Sequence, residues 1–322
     1  MAREALVDSA SETRTGLGAV GSSGLRGTDD WEAMGDELLR VRYAERVRAV
    51  EHFERTWWST DEGPQSGFLR EHPEVYPRII ARMSAGLPVE TRHVYADDAG
   101  LVWADERLEL HDRILDDMDQ EDGSSRGSGE GAVYFLLGLP GSGKSTSLRP
   151  IAMVHSRTSG SLPCSDADAV RSRFPEYAGG LGSGVVQTET VVVTYGVSYR
   201  AGDGRQQRVL ANGRDVIVDV IGDPDRLPET VLALAGVGRP VYLLMSSCSA
   251  ETCKQRVMAR ALDNGRYVPT WLVDEKVGVP ERAFELALKT GGVTGWAVVD
   301  TEGSSTVIGA GGALDSLLQS SD

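Results

Sequence analysis

The chain has 322 residues, with 33 Lys and Arg against 48 Asp and Glu, for a formal charge of −15 at pH 7. A composition of 40% apolar and 25% charged residues excludes wholesale disorder and fibrous repeats, and so acidic a surface argues against a sequence-independent nucleic-acid binder, which needs a basic face. No apolar stretch approaches the roughly 18–20 residues that span a bilayer, residues 1–16 lack a hydrophobic signal core, and Cys164, Cys248 and Cys253 match no metal-ligand spacing, so a soluble, cytoplasmic protein with no membrane partner is expected.

Residues 1–28 are rich in Ser, Gly, Thr and Ala without periodicity, and read as a disordered tail. A helical region follows over 29–120. Trp31, Met34, Leu38 and Val41 recur at helical spacing in a stretch that runs to about Trp58. A shorter helix is expected over Pro77–Ala85, and a third near Asp105–Asp119 places Leu108, His111, Leu115 and Met118 on one face. Between them Thr91–Val102 reads as a short hairpin or extended pair. The acidic run Asp116–Asp122 reads as a solvated helix end, fraying because its charge opposes the local helix dipole. Trp57, Trp58 and the Trp31/Met34 face read as helix packing, and the five histidines as structural or surface groups.

Residues 121–131 form a Gly/Ser connector, a linker or an exposed loop. Over 132–322 the pattern becomes α/β. Buried-strand runs at Val133–Leu137, Asp215–Val220, Val241–Met245 and Trp296–Val299 alternate with helical stretches, which predicts a parallel sheet flanked by helices on both faces.

The first of these strands leads into Gly138, Leu139, Pro140, Gly141, Ser142, Gly143, Lys144, Ser145 and Thr146, which match G-x-x-x-x-G-K-[ST], the phosphate-binding P-loop. Glycines let main-chain N–H groups turn inward around a polyphosphate where a side chain would obstruct them. The following helix offers its positive end to the same phosphates. Lys144 can reach the terminal phosphates, and the Ser145 hydroxyl can take a Mg²⁺ position. An N-K-x-D element that would specify guanine is absent, and so is the acidic dyad of a motor ATPase after Asp215–Val220. What remains is a small P-loop kinase that uses ATP and Mg²⁺ on a hydroxyl acceptor.

Such an enzyme needs a carboxylate beside the acceptor hydroxyl. The candidates are Asp166 and Asp168, although Asp166 also suits the simple role of capping the helix around Ala169–Arg173. Asp219, ending its strand, stands where a carboxylate could support the metal, or is a plain strand-end acid.

From Asp166 to Tyr177 the chain reads D-x-D-x-x-R-x-x-x-P-x-Y, and this block after a P-loop resembles the bacterial zeta toxins, which are UDP-N-acetylglucosamine kinases. Ser198, Arg200 and Asp203 resemble the family's serine, arginine and substrate-binding acid. Arg256-Val-Met-Ala-Arg260, followed by Gly265-Arg266-Tyr-Val-Pro269, resembles its lid segment, and Trp103–His111 the stretch that precedes the P-loop. The similarity covers roughly residues 100–300.

The resemblance implies that Asp168 is the general base. It also implies that Arg256 and Arg266, backed by Arg260, neutralise charge on the transferred phosphoryl group. Asp203 would hold the acceptor, with Asp166, Arg171, Ser198 and Arg200 around it. UDP-N-acetylglucosamine is the first small-molecule acceptor to test, and an inhibitory antitoxin protein is an implied partner; no nucleic acid is. The chain departs from the family where Asp203, flanked by Gly202 and Gly204, replaces the usual glutamate. Another acceptor, such as an antibiotic, a nucleotide or a biosynthetic intermediate, therefore stays open, as does a non-catalytic NTP-binding module. The N-terminal helices either buttress the kinase or cover its acceptor pocket.

Overall fold

The computed structural model describes residues 35–59, 68–97, 102–123, 131–156, 162–196 and 203–319. In chain order these form α1 (Asp36–Thr56), α2 (Phe68–Glu71), α3 (Tyr76–Ser84), α4 (Thr91–Tyr95) and α5 (Asp105–Glu121), then β1 (Val133–Leu137), α6 (Arg149–Ser156), β2 (Cys164–Ser165), α7 (Ala167–Arg171), α8 (Gln187–Tyr195) and α9 (Arg205–Ala211). The remainder is β3 (Val216–Val220), α10 (Arg226–Gly236), β4 (Val241–Ser247), α11 (Ala250–Asp263), α12 (Thr270–Glu275), α13 (Val279–Leu288), β5 (Gly295–Asp300), β6 (Thr306–Gly312) and α14 (Ser316–Gln319). The predicted tail over 1–28, the Trp31/Met34 face and most of the Gly/Ser connector lie outside the described residues.

The chain divides into two compact units. One gathers the N-terminal part to Leu110 with Arg171–Thr190 and Met258–Tyr267; the other holds His111–Val170, Val191–Val257 and Val268 onward.

The second unit is built on a six-stranded sheet ordered β2-β3-β1-β4-β5-β6. The first five strands are parallel, with Leu137 opposite Val220 on one side and Met245 on the other. β6 runs antiparallel to β5. Apolar layers cover both faces. Val133, Phe135 and Leu137 point to the side packed by Leu227 and Val231 of α10 and Phe284 of α13. Tyr134 and Leu136 point to the opposite side, under Leu148 and Ala152. Strands buried on both faces must be apolar at every position rather than at alternate ones, which is why β1, β3 and β4 were legible as continuous runs.

In the first unit α1 carries Asp36 and Glu37 in its first turn and Arg55 in its last, each favourable to the helix dipole. Leu39 and Tyr43 pack on Met258 and Ala261, and Tyr43 stacks on Tyr267 with ring centroids 6.0 Å apart. Trp57 and Trp58 are buried, as packing residues should be.

Two sequence expectations change. Thr91–Tyr95 is a helix, not an extended strand: the Glu90 N–H donates to His93 Nδ1 at 2.9 Å, closing the helix start locally. Of the expected pair only a single antiparallel bridge, Ala96 to Trp103, is present among the described residues. The acidic end of α5 does not fray either. Asp119 and Asp122 pair with Arg205, a side chain 2% exposed, and Asp116 and Asp119 pair with Arg208. Cations brought from distant sequence offset the unfavourable dipole and carry the helix to Glu121.

Candidate active site

The carboxyl ends of parallel strands are where open α/β sheets bind ligands, because the loops leaving them converge there. Three such ends meet in the second unit. β1 runs into the P-loop, β2 into Asp166 and Asp168, and β3 carries Asp219 near its end.

Close backbone packing shapes the P-loop. A Cβ on Gly138 would stand 2.1 Å from Ser246 Oγ and 2.5 Å from Ser142 Oγ; one on Gly141 would stand 2.5 Å from the Cys253 carbonyl oxygen. Gly138, Gly141 and Gly143 all have positive φ, at 152°, 81° and 85°. A side chain would be strained at all three positions, and at Gly138 and Gly141 it would also clash.

Neighbouring hydroxyls pin the loop. Ser142 Oγ and Ser246 Oγ share a hydrogen bond of 2.5 Å, and Thr301 Oγ1 donates to the Ser142 carbonyl at 2.7 Å. After Gly143 the chain makes a wide π-helical turn over Lys144–Leu148, which leaves Ser145 and Thr146 exposed. Lys144 Nζ donates to the carbonyls of Gly138 and Leu139 at 2.8 and 3.1 Å, and lies 3.7 Å from Asp219 Oδ1. The ammonium is thus folded over its own loop, facing a carboxylate from the adjacent strand.

Asp166 Oδ1 accepts the Asp168 N–H at 2.9 Å and fixes the start of α7, the capping role that sequence allowed for it. Asp168 is half-buried in the first turn of that helix. Sequence reasoning missed Arg149, the first residue of α6. Its guanidinium lies near the Cys164 thiol and the carboxylates of Asp166 and Asp219. Burial works against its charge, but these neighbours outweigh burial and hold it protonated. Burial likewise keeps Cys164 a thiol, its pKa pushed up to about 12. The available signal was position alone, a basic residue one turn beyond Lys144.

Arg256 is 8% exposed, and Nη2 donates to the Thr301 carbonyl at 2.7 Å, while Nε makes no hydrogen bond among the described residues. Arg256 therefore grips the residue that in turn grips Ser142. Asp203 also belongs to this unit, where Arg208 Nε donates to its Oδ1 at 2.9 Å. Arg171, Arg260 and Arg266 belong to the first unit, where Arg171 Nη2 donates to Gln187 Oε1 at 2.5 Å and the Arg266 N–H donates to Asn264 Oδ1 at 3.1 Å. Ser198 and Arg200 lie outside the described residues.

Both phosphate and magnesium fit what is present. The glycine cradle and Lys144 suit a polyphosphate. The exposed Ser145 hydroxyl and the Asp219 carboxylate are the hard oxygen donors that Mg²⁺ takes alongside phosphate oxygens. No cluster of three His, Cys, Asp or Glu side chains that could hold a metal by itself occurs among the described residues, and none of the described helices is long and apolar enough to cross a membrane.

No curated protein matches the chain by sequence. Among solved structures it is similar to the AvrRxo1-ORF1:AvrRxo1-ORF2 complex with sulphate ions, at 16% identity, covering 68% of this chain and 73% of that one, with a TM-score of 0.49. It is similar to a chain from the PezAT chromosomal toxin-antitoxin system of Streptococcus pneumoniae, at 16% identity, 69% and 89% coverage and a TM-score of 0.43. A putative kinase from Chloroflexus aurantiacus matches at 18% identity, 54% and 90% coverage and a TM-score of 0.37. The zeta toxin family model matches residues 117–308, a span that holds the P-loop, the Asp166–Tyr177 block and the Arg256–Pro269 segment. With that match over more than half its length, the chain belongs to the zeta toxin family.

Proposed function

We propose that this protein is an ATP- and Mg²⁺-dependent kinase that transfers the γ-phosphoryl group to a hydroxyl of a small molecule, with UDP-N-acetylglucosamine the first acceptor to test. The observation that carries this reading is the P-loop with Lys144 folded over it and facing Asp219. On nucleotide binding, Lys144 exchanges the Gly138 and Leu139 carbonyls for phosphate oxygens. Bound Mg²⁺, held by Ser145 with Asp219 in support, would neutralise phosphate charge.

Asp168 accepts the acceptor's proton, its main chain fixed by Asp166. Arg149 orients Asp166 and Asp219, a role suited to a fixed, permanently charged fork. Arg256 supplies positive charge to the transferred group and also braces the loop through Thr301. An antitoxin that blocks the site belongs to the same reading.

Asp203 favours a second acceptor. Its carboxylate is engaged by Arg208, which also binds Asp116 and Asp119, so the pocket presents different chemistry from one with a free glutamate. A kinase of another hydroxyl-bearing small molecule keeps every other role unchanged.

The test is ATP consumption with Mg²⁺, with and without UDP-N-acetylglucosamine, and mass spectrometry of the products. A phosphorylated sugar nucleotide that disappears in Asp168→Asn while ATP binding persists supports the full proposal. Tight ATP binding without product removes that acceptor and turns the search to a hydroxyl screen. Failure to bind ATP at all sinks the kinase reading.

A further inference from the structure

Two thiols that phosphoryl transfer does not use lie against the P-loop. Cys248 precedes Ser249, whose Oγ accepts the Thr252 N–H at 3.2 Å and caps α11; Cys253 sits one turn inside that helix. Helix entry brings the residue before the cap and the fourth helical residue together. Here both are cysteines, and Cys248 packs against the apolar cluster that holds Cys253.

Cys253 is fully buried with Leu139 and Val257, and its carbonyl oxygen is the atom that leaves no room for a side chain on Gly141. Cys248 is half-buried, 3.5 Å from Arg256 Nη1, at the positive end of a 14-residue helix. The neighbouring Cys253 thiol lowers the Cys248 pKa most. Burial works against this and Arg256 and Thr301 support it, while the charge of Glu302 opposes it. Such a setting makes a thiolate a nucleophile and its neighbour a resolving thiol.

We propose that Cys248 and Cys253 are a redox-sensitive pair through which a hydroperoxide shuts off nucleotide binding. The Cys248 thiolate attacks the terminal OH oxygen of the peroxide; the O–O bond breaks, the alkoxide (hydroxide from hydrogen peroxide) leaves and Cys248 becomes a sulfenic acid. Cys253 then gives up its proton and bonds to the Cys248 sulfur, expelling the hydroxyl as water and leaving a disulfide. Drawing the two sulfurs to bonding distance shifts the first turn of α11. The Cys253 carbonyl against Gly141 transmits that shift to the P-loop, because close-packed backbone has no slack to absorb it. Cys164, half-buried and held as a thiol, stays reduced.

This inference rests on the nucleotide-binding reading of the loop, and the experiment separates the two. The full chain, free of nucleotide, is treated with hydrogen peroxide and its peptides are mapped by mass spectrometry without reduction. Binding of a fluorescent ATP analogue is measured before oxidation, after it, and after a thiol reductant.

The expected result is a Cys248–Cys253 link, with binding at least about tenfold weaker and restored by reduction. Cys253→Ser should stop at a sulfenic acid on Cys248 that a 1,3-dione traps, and Cys248→Ser should keep its affinity through peroxide treatment. The wild-type peptide map decides the link even if a variant fails to fold. Oxidation that spares the pair, a link to Cys164, or a Cys248–Cys253 link that leaves affinity unchanged overturns the proposal. If the reduced protein binds no ATP analogue, the nucleotide half falls together with the kinase reading, and the map still decides the thiol half.

Discussion

Arg46 Nη2 donates to the Gly265 carbonyl, 219 positions along the chain, at 3.0 Å, and to the Gly179 carbonyl at the same distance. One guanidinium on α1 thus ties the turn that leads into Arg266 to the turn that ends the Asp166–Tyr177 block. Within the first unit the N-terminal helix braces two turns that are far apart in sequence. Arg46→Ala should lower stability by about 1–3 kcal/mol, because the part-buried Gly265 carbonyl and the exposed Gly179 carbonyl lose a charged donor. A thermal melt matching wild type would show the clamp to be idle.

The turns that Arg46 joins are in backbone contact. Gly180 has φ of 97°, and a Cβ there would stand 1.4 Å from the Gly265 carbonyl oxygen. Gly180→Ala must strain its own backbone, at about 1–3 kcal/mol, and also part the two turns. Urea unfolding should therefore show a larger loss than for Arg46→Ala, and an equal or smaller loss would refute the contact.

Arg107 joins α5 to the buried Glu189 and the half-buried Glu176. Nε donates to Glu189 Oε1 at 2.7 Å and Nη1 to Glu176 Oε1 at 2.9 Å, with the guanidinium 4.4 Å over the Tyr95 ring. Burial opposes its charge, but the two carboxylates outweigh it and hold the pKa above the usual arginine value. Arg107→Met should cost about 3–5 kcal/mol, since it strands buried negative charge, whereas Met in place of a merely surface arginine would leave the melting temperature nearly unchanged.

His93 links the fold to pH. Burial first, then the nearby Arg82, Arg92 and Arg78, lower its pKa from 6.5 to about 4. The folded state thus resists a proton that the unfolded chain accepts, so His93 supports full stability above pH 6.5 and loses that contribution as pH falls toward 4. His93→Gln keeps an acceptor for the Glu90 N–H and should flatten the stability profile across this window. An unchanged slope in chemical denaturation would count against it.

Lys144→Ala should reduce turnover by about 10²-fold or more, because charge fixed at the phosphates acts most strongly in the transition state. The fold should survive, since the hydrogen bonds lost go to Gly138 and Leu139 in the same loop. Steady-state rates alongside circular dichroism separate the two effects.

The parallel sheet and its P-loop were legible in sequence because each depends on local pattern. A strand buried on both faces must be apolar throughout, and a phosphate cradle must be glycine-rich, whatever surrounds it. The two-residue β2 and the glycine-rich β6, Thr306–Gly312, have no such pattern and exist only through pairing with β3 and β5. Thr91–Tyr95 looked extended because β-branched and aromatic residues favour strands, yet one hydrogen bond from Glu90 to His93 starts a helix.

The same division holds at the site. Gly138 to Thr146 and the two aspartates after β2 could be named from spacing. Arg149, Ser246 and Thr301 could not, for what matters in them is which groups they meet, and long-range packing decides that. The acidic end of α5 makes the point most simply: sequence shows repulsive charge, and only the tertiary structure brings Arg205 and Arg208 to pair with it, because ion pairs depend on distance in space and not on separation along the chain.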